Sequence, residues 1–150
     1  MDHNVVDSFA GEYRFLSNFY PSPIRVDGLL YPTVEHAFQA AKTPDKEEKR
    51  KIADARSPGR AKALGRKVRL RKDWESVKVG IMKQLVLLKF REHPDLEERL
   101  LATDDAELIE GNTWNDRFWG VCNGHGKNHL GKALMWVRTQ LQEENDAVPD

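Results

Sequence analysis

The sequence has few of the features that mark secreted, membrane-bound or nucleic-acid-binding proteins. It contains one cysteine, Cys122, so no internal disulfide can form, as is typical of proteins from reducing compartments. Lys and Arg together number 24, as do Asp and Glu, so no net charge attracts the chain to nucleic acid or anionic lipid. No apolar run reaches membrane-spanning length, and the first four residues do not resemble the basic start of a signal peptide. We therefore expect a cytoplasmic protein that does not act at a membrane.

The patterns along the chain predict a mainly helical α+β protein with a small β-hairpin or sheet, forming a single domain over residues 1–150. Asp27-Gly28 predicts the turn of a hairpin at residues 24–31, and residues 107–109 have the composition of one short strand. Helices are predicted after the capping residues Thr33, Ser57, Asp73 and Asn128, over the charged segment 45–56, and at Pro94.

The two longest predicted helices carry apolar residues at helical spacing. Such spacing indicates that one face of each helix is buried. In the helix that follows Asp73, these residues are Trp74, Val77, Ile81, Leu85 and Leu88. In the helix that follows Asn128, they are Leu130, Leu134, Val137 and Leu141.

Residues 31–42, with the sequence YPTVEHAFQAAK, predict a helix that carries three polar side chains along one stripe. Glu35, Gln39 and Lys42 stand at positions i, i+4 and i+7, so they share one helix face. The commoner arrangement of such residues is a solvated face of an amphipathic helix. The alternative is a carboxylate and an amine held together in the wall of a pocket, and the segment alone leaves both interpretations open.

A first loop with candidate binding residues is YRFLSNFY, at residues 13–20, where aromatic residues flank Ser17 and Asn18. The amide of Asn18 can donate and accept hydrogen bonds in a fixed geometry, as recognition of a sugar hydroxyl requires. Asparagine also commonly completes a turn, and both roles fit this segment.

A second loop, at residues 112–128, combines tryptophans and glycines ahead of the last predicted helix. Tryptophan faces stack well on nucleobases, and glycines before a helix N-terminus can offer N–H groups to a phosphate or form a tight turn. The loop is not a Walker A motif, because five residues separate Gly120 from Gly126 and Asn128 stands where a Ser or Thr would bind magnesium. His125 and His129 have no convincing third ligand, so we predict no metal site.

The segment from Arg60 to Lys72 is rich in Lys and Arg. Its basic residues are either a solvated face balanced by acidic neighbours or a patch that attracts a phosphorylated ligand or a nucleic-acid backbone.

Several blocks in the order FLSNFYPSPIRVDGLLYPTVEHAFQAAK, LRKDWESVKVGIMKQLVLLKF, NDRFWG and GKNHLGKALM resemble the NADAR family, also called the YbiA-like N-glycosidases. The resemblance covers roughly residues 8–142, which we expect to form the core of the domain, with a disordered tail at residues 143–150. It implies a compact, mainly helical α+β fold. It also implies hydrolysis of the N-glycosidic bond between a ribose and a nitrogenous base or amine, chemistry that needs no metal or redox cofactor.

Carried over residue by residue, the resemblance implies catalytic roles for Glu35, Lys42 and Asp116. Glu35 would stabilise an oxocarbenium-like sugar or activate water, and Asp116 would protonate the leaving base or bind ribose hydroxyls. Lys42 would either attack C1′ of an opened ribose as an uncharged amine or stay charged beside Glu35. Together with the loops, the resemblance predicts these substrate-binding residues: Asn18, Phe19, Trp74, Trp119, Gly120, Gly126, Lys127 and Asn128.

Two substrates are compatible with this activity: ADP-ribose attached to a guanine base, and the ribosylamino-pyrimidine intermediates of riboflavin synthesis. The first would make the protein a partner of a DNA-modifying ADP-ribosyltransferase system, and the second would make it a metabolite-repair enzyme. Residues 121–125 hold fewer glycines and aspartates than relatives that act on riboflavin intermediates tend to have. A module that binds ADP-ribose or NAD without turnover is the alternative from a different functional class.

Overall fold

The computed structural model describes residues 4–147, which fall into two compact units. The continuous unit is Asn18–Glu92, and the split unit combines the residues up to Ser17 with those from His93 onward. The strands are β1 (Val5–Val6), β2 (Ile24–Val26), β3 (Leu29–Tyr31) and β4 (Glu107–Leu108). The α-helices are α1 (Val34–Ala40), α2 (Lys46–Ala53), α3 (Pro58–Gly65), α4 (Trp74–Glu92), α5 (Pro94–Leu101) and α6 (His129–Ala147). The predicted mainly helical α+β fold is confirmed.

In the continuous unit, β2 and β3 form the predicted antiparallel hairpin, with Ile24 opposite Tyr31 and Val26 opposite Leu29. Asp27 and Gly28 connect the strands with φ angles of 49° and 85°. Two consecutive positive φ angles are the geometry of a type I′ turn, which matches the right-handed twist of the strands. The local sequence therefore determines this hairpin.

The first three helices of the continuous unit each begin after a capping side chain, which the sequence predicted at Thr33 and Ser57. The Thr33 side chain accepts from the His36 N–H at the start of α1, and Asp45 accepts from the first-turn N–H groups of α2. Ser57 accepts from the Arg60 N–H, with Pro58 in the first turn of α3. Because α1 contacts α2, α3, α4 and the hairpin, all seven of its residues are buried.

The predicted single apolar stripe of α4 is partly wrong. Trp74 and Leu85 are buried, whereas Val77, Ile81 and Leu88 are half-buried. The other buried residues of this helix are Met82, Val86, Leu87, Lys89 and Phe90. Since neighbouring helical residues point about 100° apart, three consecutive buried residues show that the C-terminal half of α4 is enclosed on several sides. One face of the N-terminal half lines a groove of about 470 Å³, at Ser76, Val77, Gly80, Ile81, Gln84 and Leu85.

In the split unit, β1 pairs in parallel with β4, so the predicted short strand after residue 106 is confirmed. Helix α6 packs against α5 and β4 through the four predicted apolar residues, all of them buried. Gly11–Leu16 forms a 3₁₀ helix, and the Arg99 guanidinium lies 4.2 Å from the centre of the Phe15 ring. This contact joins the first residues of the unit to its second half.

The helix α6 continues through Ala147, so residues 143–147, which we expected to be disordered, are helical and exposed. Residues 148–150 of the predicted tail lie outside the described residues. The extent of the domain over residues 1–150 stays a prediction. Between residues 4 and 147, none of the helices combines the length and apolar character that a membrane crossing requires.

Candidate active site

The polar stripe of α1 is buried. Glu35 is 8% exposed and Gln39 is 4% exposed, and Gln39 Nε2 donates a hydrogen bond of 2.6 Å to Glu35 Oε2. The interpretation of this stripe as a solvated face is therefore wrong, because α1 is covered by its neighbours on the polar side as well. A buried carboxylate destabilises a fold unless it is well paired, and such groups are concentrated at functional sites.

The first turn of α1 is held in place by backbone contacts within the continuous unit. The Glu35 N–H donates to the Asn18 carbonyl oxygen over 3.1 Å. Asn18 is buried, and its Nδ2 lies 3.4 Å from the Met82 sulfur. Phe19 remains 42% exposed. The predicted binding residue Asn18 therefore lies directly beside the backbone of the predicted catalytic residue Glu35.

Lys42 lies two residues after the end of α1 and is half-buried. Its N–H donates to the Gln39 carbonyl oxygen over 3.2 Å, and its own carbonyl oxygen accepts from the Arg71 N–H over 2.7 Å. Burial lowers the pKa of the Lys42 amine, the charge of Glu35 opposes that change, and Arg66 and other nearby cations add to it. A lowered pKa favours the uncharged amine that a nucleophilic role requires.

Three cations act on Lys42 through space. Lys62 belongs to α3, Arg66 directly follows α3, and Lys78 belongs to α4. Lys78 also forms an ion pair of 2.7 Å with Glu75. Two members of the predicted basic segment are therefore near Lys42, where their charge favours an anionic ligand.

Trp74 is a core residue of the continuous unit. It is 5% exposed, and its ring centre lies 5.0 Å from that of Phe38, at an angle of 51°. In this structure the ring packs beneath α1. Burial of this extent leaves neither face of the ring open. Little exposed surface is therefore available for the predicted stacking on a base.

In the split unit, Asp116 shapes its own loop. Its Oδ1 accepts from the N–H groups of Phe118 and Trp119, over 3.1 and 2.9 Å. Asn112 accepts from the Asp116 N–H and donates to the Asp116 carbonyl oxygen. One carboxylate oxygen of Asp116 is thus engaged in local structure, and the catalytic role of this residue stays a prediction.

The N–H groups at the start of α6, which could have bound a phosphate, have hydrogen-bond partners within the loop. Lys127, Asn128, His129 and Leu130 donate their N–H groups to carbonyl oxygens at residues 117–120. The sequence left a phosphate-binding loop and a tight turn open for this segment, and these hydrogen bonds favour the tight turn. A contribution from Lys127 would come from its ammonium group, which lies 5.9 Å from the centre of the Phe118 ring.

Gly120 and Gly126 are required for close packing. A side chain at Gly120 would collide with Glu110, and one at Gly126 would collide with the Gly120 carbonyl oxygen. Trp119 is half-buried, with its ring 4.9 Å from the Phe118 ring in an edge-to-face contact. Substrate binding by Trp119 stays a prediction.

Asn128 precedes α6 as predicted, but its side chain does not cap the helix. The residue has a φ angle of 53°, whereas a capping residue usually has extended backbone. Its Oδ1 accepts from the Glu110 N–H over 3.0 Å, and its Nδ2 donates to the Leu108 carbonyl oxygen over 2.9 Å. The amide therefore fastens the start of α6 to the segment around β4, and both of its ends are engaged before any substrate binds.

Two residues outside the predicted set stand out. Gln39 lies on the polar stripe of α1, but the sequence alone assigns it no role. Trp114 is 63% exposed in the loop of the split unit. Over the part of the chain that the structure describes, no group of three or more His, Cys, Asp or Glu side chains could hold a metal ion.

Comparisons with known proteins agree with the resemblance. The NADAR domain matches residues 7–142. The N-glycosidase YbiA of Escherichia coli is 44% identical over 140 residues, covering 91% of this chain and 87% of that protein. An N-glycosidase of Nostoc punctiforme is 43% identical over 136 residues, covering 87% of this chain and 86% of that protein.

A riboflavin biosynthesis protein of Vibrio vulnificus is 42% identical over 134 residues, covering 87% of this chain and 36% of that longer protein. The NMR structure of E. coli YbiA superposes with a TM-score of 0.89 at 40% identity, covering all of this chain and 92% of that one. The match to the family extends over nearly the whole chain, in sequence and in fold. The chain belongs to the NADAR family.

Proposed function

We propose that this hydrolase of N-glycosyl bonds acts on a phosphorylated ribosyl N-glycoside and that the α1 stripe carries the chemistry. The observation that supports this proposal best is the buried Glu35 carboxylate, fixed by Gln39 and near the half-buried Lys42 amine. A binding protein has no need of a desolvated amine beside a buried carboxylate, whereas bond cleavage at a sugar carbon uses both.

In this proposal Glu35 stabilises positive charge at C1′. Cleavage of an N-glycosidic bond passes through an oxocarbenium-like sugar, and a preorganised carboxylate in a site that excludes water stabilises that charge strongly. Since α1 is covered on all sides, Glu35 has little freedom to move during the reaction.

Lys42 is the proposed nucleophile on the ring-opened form of the sugar. Ring opening moves the proton of the glycosidic nitrogen to the ring oxygen and leaves a C=N bond between C1′ and the base. The uncharged Lys42 amine adds to C1′, and the base nitrogen leaves with the two protons that the amine loses, so that an imine joins C1′ to Lys42. Water then adds to C1′, and the amine is released together with the free aldehyde of the ribose. The lowered pKa of Lys42 supports this route, because only the uncharged amine can attack.

The cations around Lys42 are the proposed binding groups for the phosphate of the substrate. Lys62, Arg66 and Lys78 each disfavour the charged form of Lys42, so they are near enough to act on it. A phosphate among them would reduce their mutual repulsion. The same cations would then both bind the substrate and keep Lys42 uncharged.

Two substrates fit this chemistry, and different observations favour each. The relatives from Vibrio vulnificus and Zea mays are named riboflavin biosynthesis proteins, which favours ribosylamino-pyrimidine intermediates. The exposed Trp114, in a loop with the exposed Arg117 and Lys127, favours ADP-ribose on a guanine base, because these groups suit a neighbouring base and phosphate. That second substrate would make a DNA-modifying ADP-ribosyltransferase the functional partner of the protein.

A trapping experiment tests the proposed reaction. The protein is incubated separately with each of the two substrates, release of the free base is followed, and borohydride is added during turnover. We expect base release from one substrate and a reduced sugar adduct on the peptide that contains Lys42. Lys42→Arg places a permanently protonated group there that cannot attack, so it should abolish both results while ligand binding remains.

Other outcomes of this experiment would point elsewhere. Base release without an adduct, together with an active Lys42→Arg variant, would assign the attack to a water molecule. Binding of ADP-ribose without release of base from either substrate would support the non-catalytic binding module.

A further inference from the structure

Gln39 has an unusual hydrogen-bonding arrangement for a buried side chain. Its Nε2 donates to Glu35 Oε2 over 2.6 Å, but its Oε1 is buried and receives no hydrogen bond from any described residue. A buried carbonyl oxygen without a donor destabilises the fold, and a methionine or leucine of similar size would avoid that penalty. Apart from the hydrogen bond to Glu35, the fold therefore gives no reason for a glutamine at this position.

Gly65, at the end of α3, is what makes room for the Gln39 amide. A side chain at position 65 would collide with Gln39 Oε1, and its Cβ would also lie 2.8 Å from Gln39 Cδ. The amide is therefore enclosed by Glu35 on one side and by the backbone of α3 on the other. Contacts from α1 and α3 therefore fix the amide in one position.

The orientation of the amide depends on the charge of Glu35. An ionised carboxylate only accepts hydrogen bonds, so the Gln39 NH₂ group must face it and the oxygen must face Gly65. With the amide reversed, two oxygens would meet at the distance of a short hydrogen bond. The observed arrangement thus fits an ionised Glu35 whose Oε2 is held by the Gln39 NH₂ group.

We infer that Gln39 is a positioning residue for the Glu35 carboxylate and that Gly65 is the position in α3 that allows it to act. This inference rests on the proposed catalytic role of Glu35. The charged groups to be considered around the pair are Lys42 after α1, Lys62 in α3, Arg66 directly after α3, and Lys78 in α4. Of these, Lys42 is coupled to Glu35 itself, so its protonation must be followed in the same experiments.

The first test replaces Gln39 with leucine, which has a similar volume and no donor. We expect kcat to fall by about 10–100-fold with KM little changed, because a hydrogen bond to a charged group is lost in the reaction step. The acid limb of the kcat/KM profile should move to higher pH, since the hydrogen bond that favours ionised Glu35 is gone. Thermal stability should be equal or higher, which a merely structural role would not produce.

The second test uses a pair of glycines in the same helix. Gly65→Ala should lower kcat by a similar factor, because the new methyl group displaces the Gln39 amide. Gly59→Ala is the matched control, since its Cβ would meet only the Ser57 hydroxyl, at 3.9 Å. In a Gln39→Ala background the collisions with Oε1 and Cδ are gone and only the 3.0 Å approach to the Cβ of residue 39 remains, so Gly65→Ala should fold and cause little further loss.

The outcomes separate this inference from the proposed function. If Glu35→Gln retains near-normal turnover, the proposed function and the inference both fail. If Glu35→Gln is inactive but Gln39→Leu has an unchanged kcat and pH profile, only the inference fails. If Gln39→Leu changes KM alone, Gln39 is a substrate contact and the inference is also overturned. Additive losses of kcat for Gln39→Ala and Gly65→Ala would overturn it as well.

Discussion

The α1 stripe and the loop at residues 112–128 both contain predicted catalytic residues, but their polar groups differ in how they are hydrogen-bonded. In the loop, Asp116, Asn112 and Asn128 accept and donate hydrogen bonds that determine the path of the backbone. Along the α1 stripe, Gln39 Oε1 is buried with no donor among residues 4–147, and the Lys42 amine just after α1 is partly desolvated, so both lower the stability of the fold.

The difference indicates where function is to be sought. Natural proteins keep destabilising polar groups mainly where activity needs them, whereas groups that satisfy the backbone are retained for structure alone. We therefore expect substitutions in α1 to reduce activity with little loss of stability, and substitutions of the bonded loop residues to reduce stability first. The following experiments compare losses of activity with losses of stability.

The largest effect is expected for Glu35→Gln. The variant should fold with an unchanged or higher Tm and lose about 10²–10³-fold in kcat, because the amide has the size of the carboxylate without its charge. Glu47→Gln, at an exposed position of α2, is the control and should have normal kinetics. A folded Glu35→Gln variant with a near-normal rate would remove Glu35 from the mechanism and remove the distinction between the two regions.

Asn128→Ala should show the opposite behaviour. It removes the partners of the Leu108 carbonyl oxygen and the Glu110 N–H, and each buried group left unsatisfied costs about 1–3 kcal/mol. We expect the free energy of unfolding, measured with denaturant, to fall by about 2–4 kcal/mol. Asn145→Ala, on the exposed end of α6, should leave it unchanged. If Asn128→Ala were fully stable and inactive, the loop amide would be functional rather than structural.

Trp119→Ala tests whether the loop also contributes to binding. Loss of stacking on a base should weaken substrate binding by about 1–3 kcal/mol, seen as a higher Kd with a similar Tm. Trp114→Ala, measured in parallel, separates the half-buried ring from the exposed one. A drop in Tm without a change in Kd would assign Trp119 to the packing of the loop with Phe118.

The smallest effect, a change in the free energy of unfolding for each pH unit, is expected from Lys89, a further buried polar group of the continuous unit. Lys89 is 1% exposed, and burial lowers its pKa from 10.5 to about 7. Between these values the unfolded chain binds one proton more than the folded chain, so the free energy of unfolding should rise by about 1.4 kcal/mol per pH unit. Below pH 7 both states are protonated, and this contribution no longer changes with pH.

Lys89→Met should remove that part of the pH dependence and raise the stability at neutral and acidic pH. Lys132→Met, at an exposed position of α6, is the control and should retain the slope. Equal slopes in the two variants would show that Lys89 stays charged in the folded protein.

The sequence predicted the features that depend on residues close together in the chain. The Asp27-Gly28 turn and the caps at Thr33 and Ser57 are fixed by hydrogen bonds across two to four residues, and all three are confirmed. The stripe in α1 was also visible as a spacing. Its burial was not, because coverage of a polar face depends on which helices pack around α1.

The features that sequence could not predict depend on distant partners. Asn128 binds groups 18 and 20 residues away, so it could not be distinguished from an ordinary cap. Gln39 and Gly65 stand 26 positions apart in the chain, and only the packing of α1 against α3 shows that one makes room for the other. A lone glycine at the end of a helix has the same appearance whether it terminates the helix or accommodates a neighbour.

The parallel pairing of β1 with β4 has a consequence for biosynthesis. Val6 leaves the ribosome about a hundred residues before its partner Leu108, which at ordinary translation rates is a delay of roughly 5–20 s. The whole continuous unit is synthesised in that interval and can fold while the first strand is still unpaired. We therefore expect nascent chains halted once residue 92 has emerged from the ribosome to protect the α1 core from proteolysis but to leave the N-terminal strand open to cleavage.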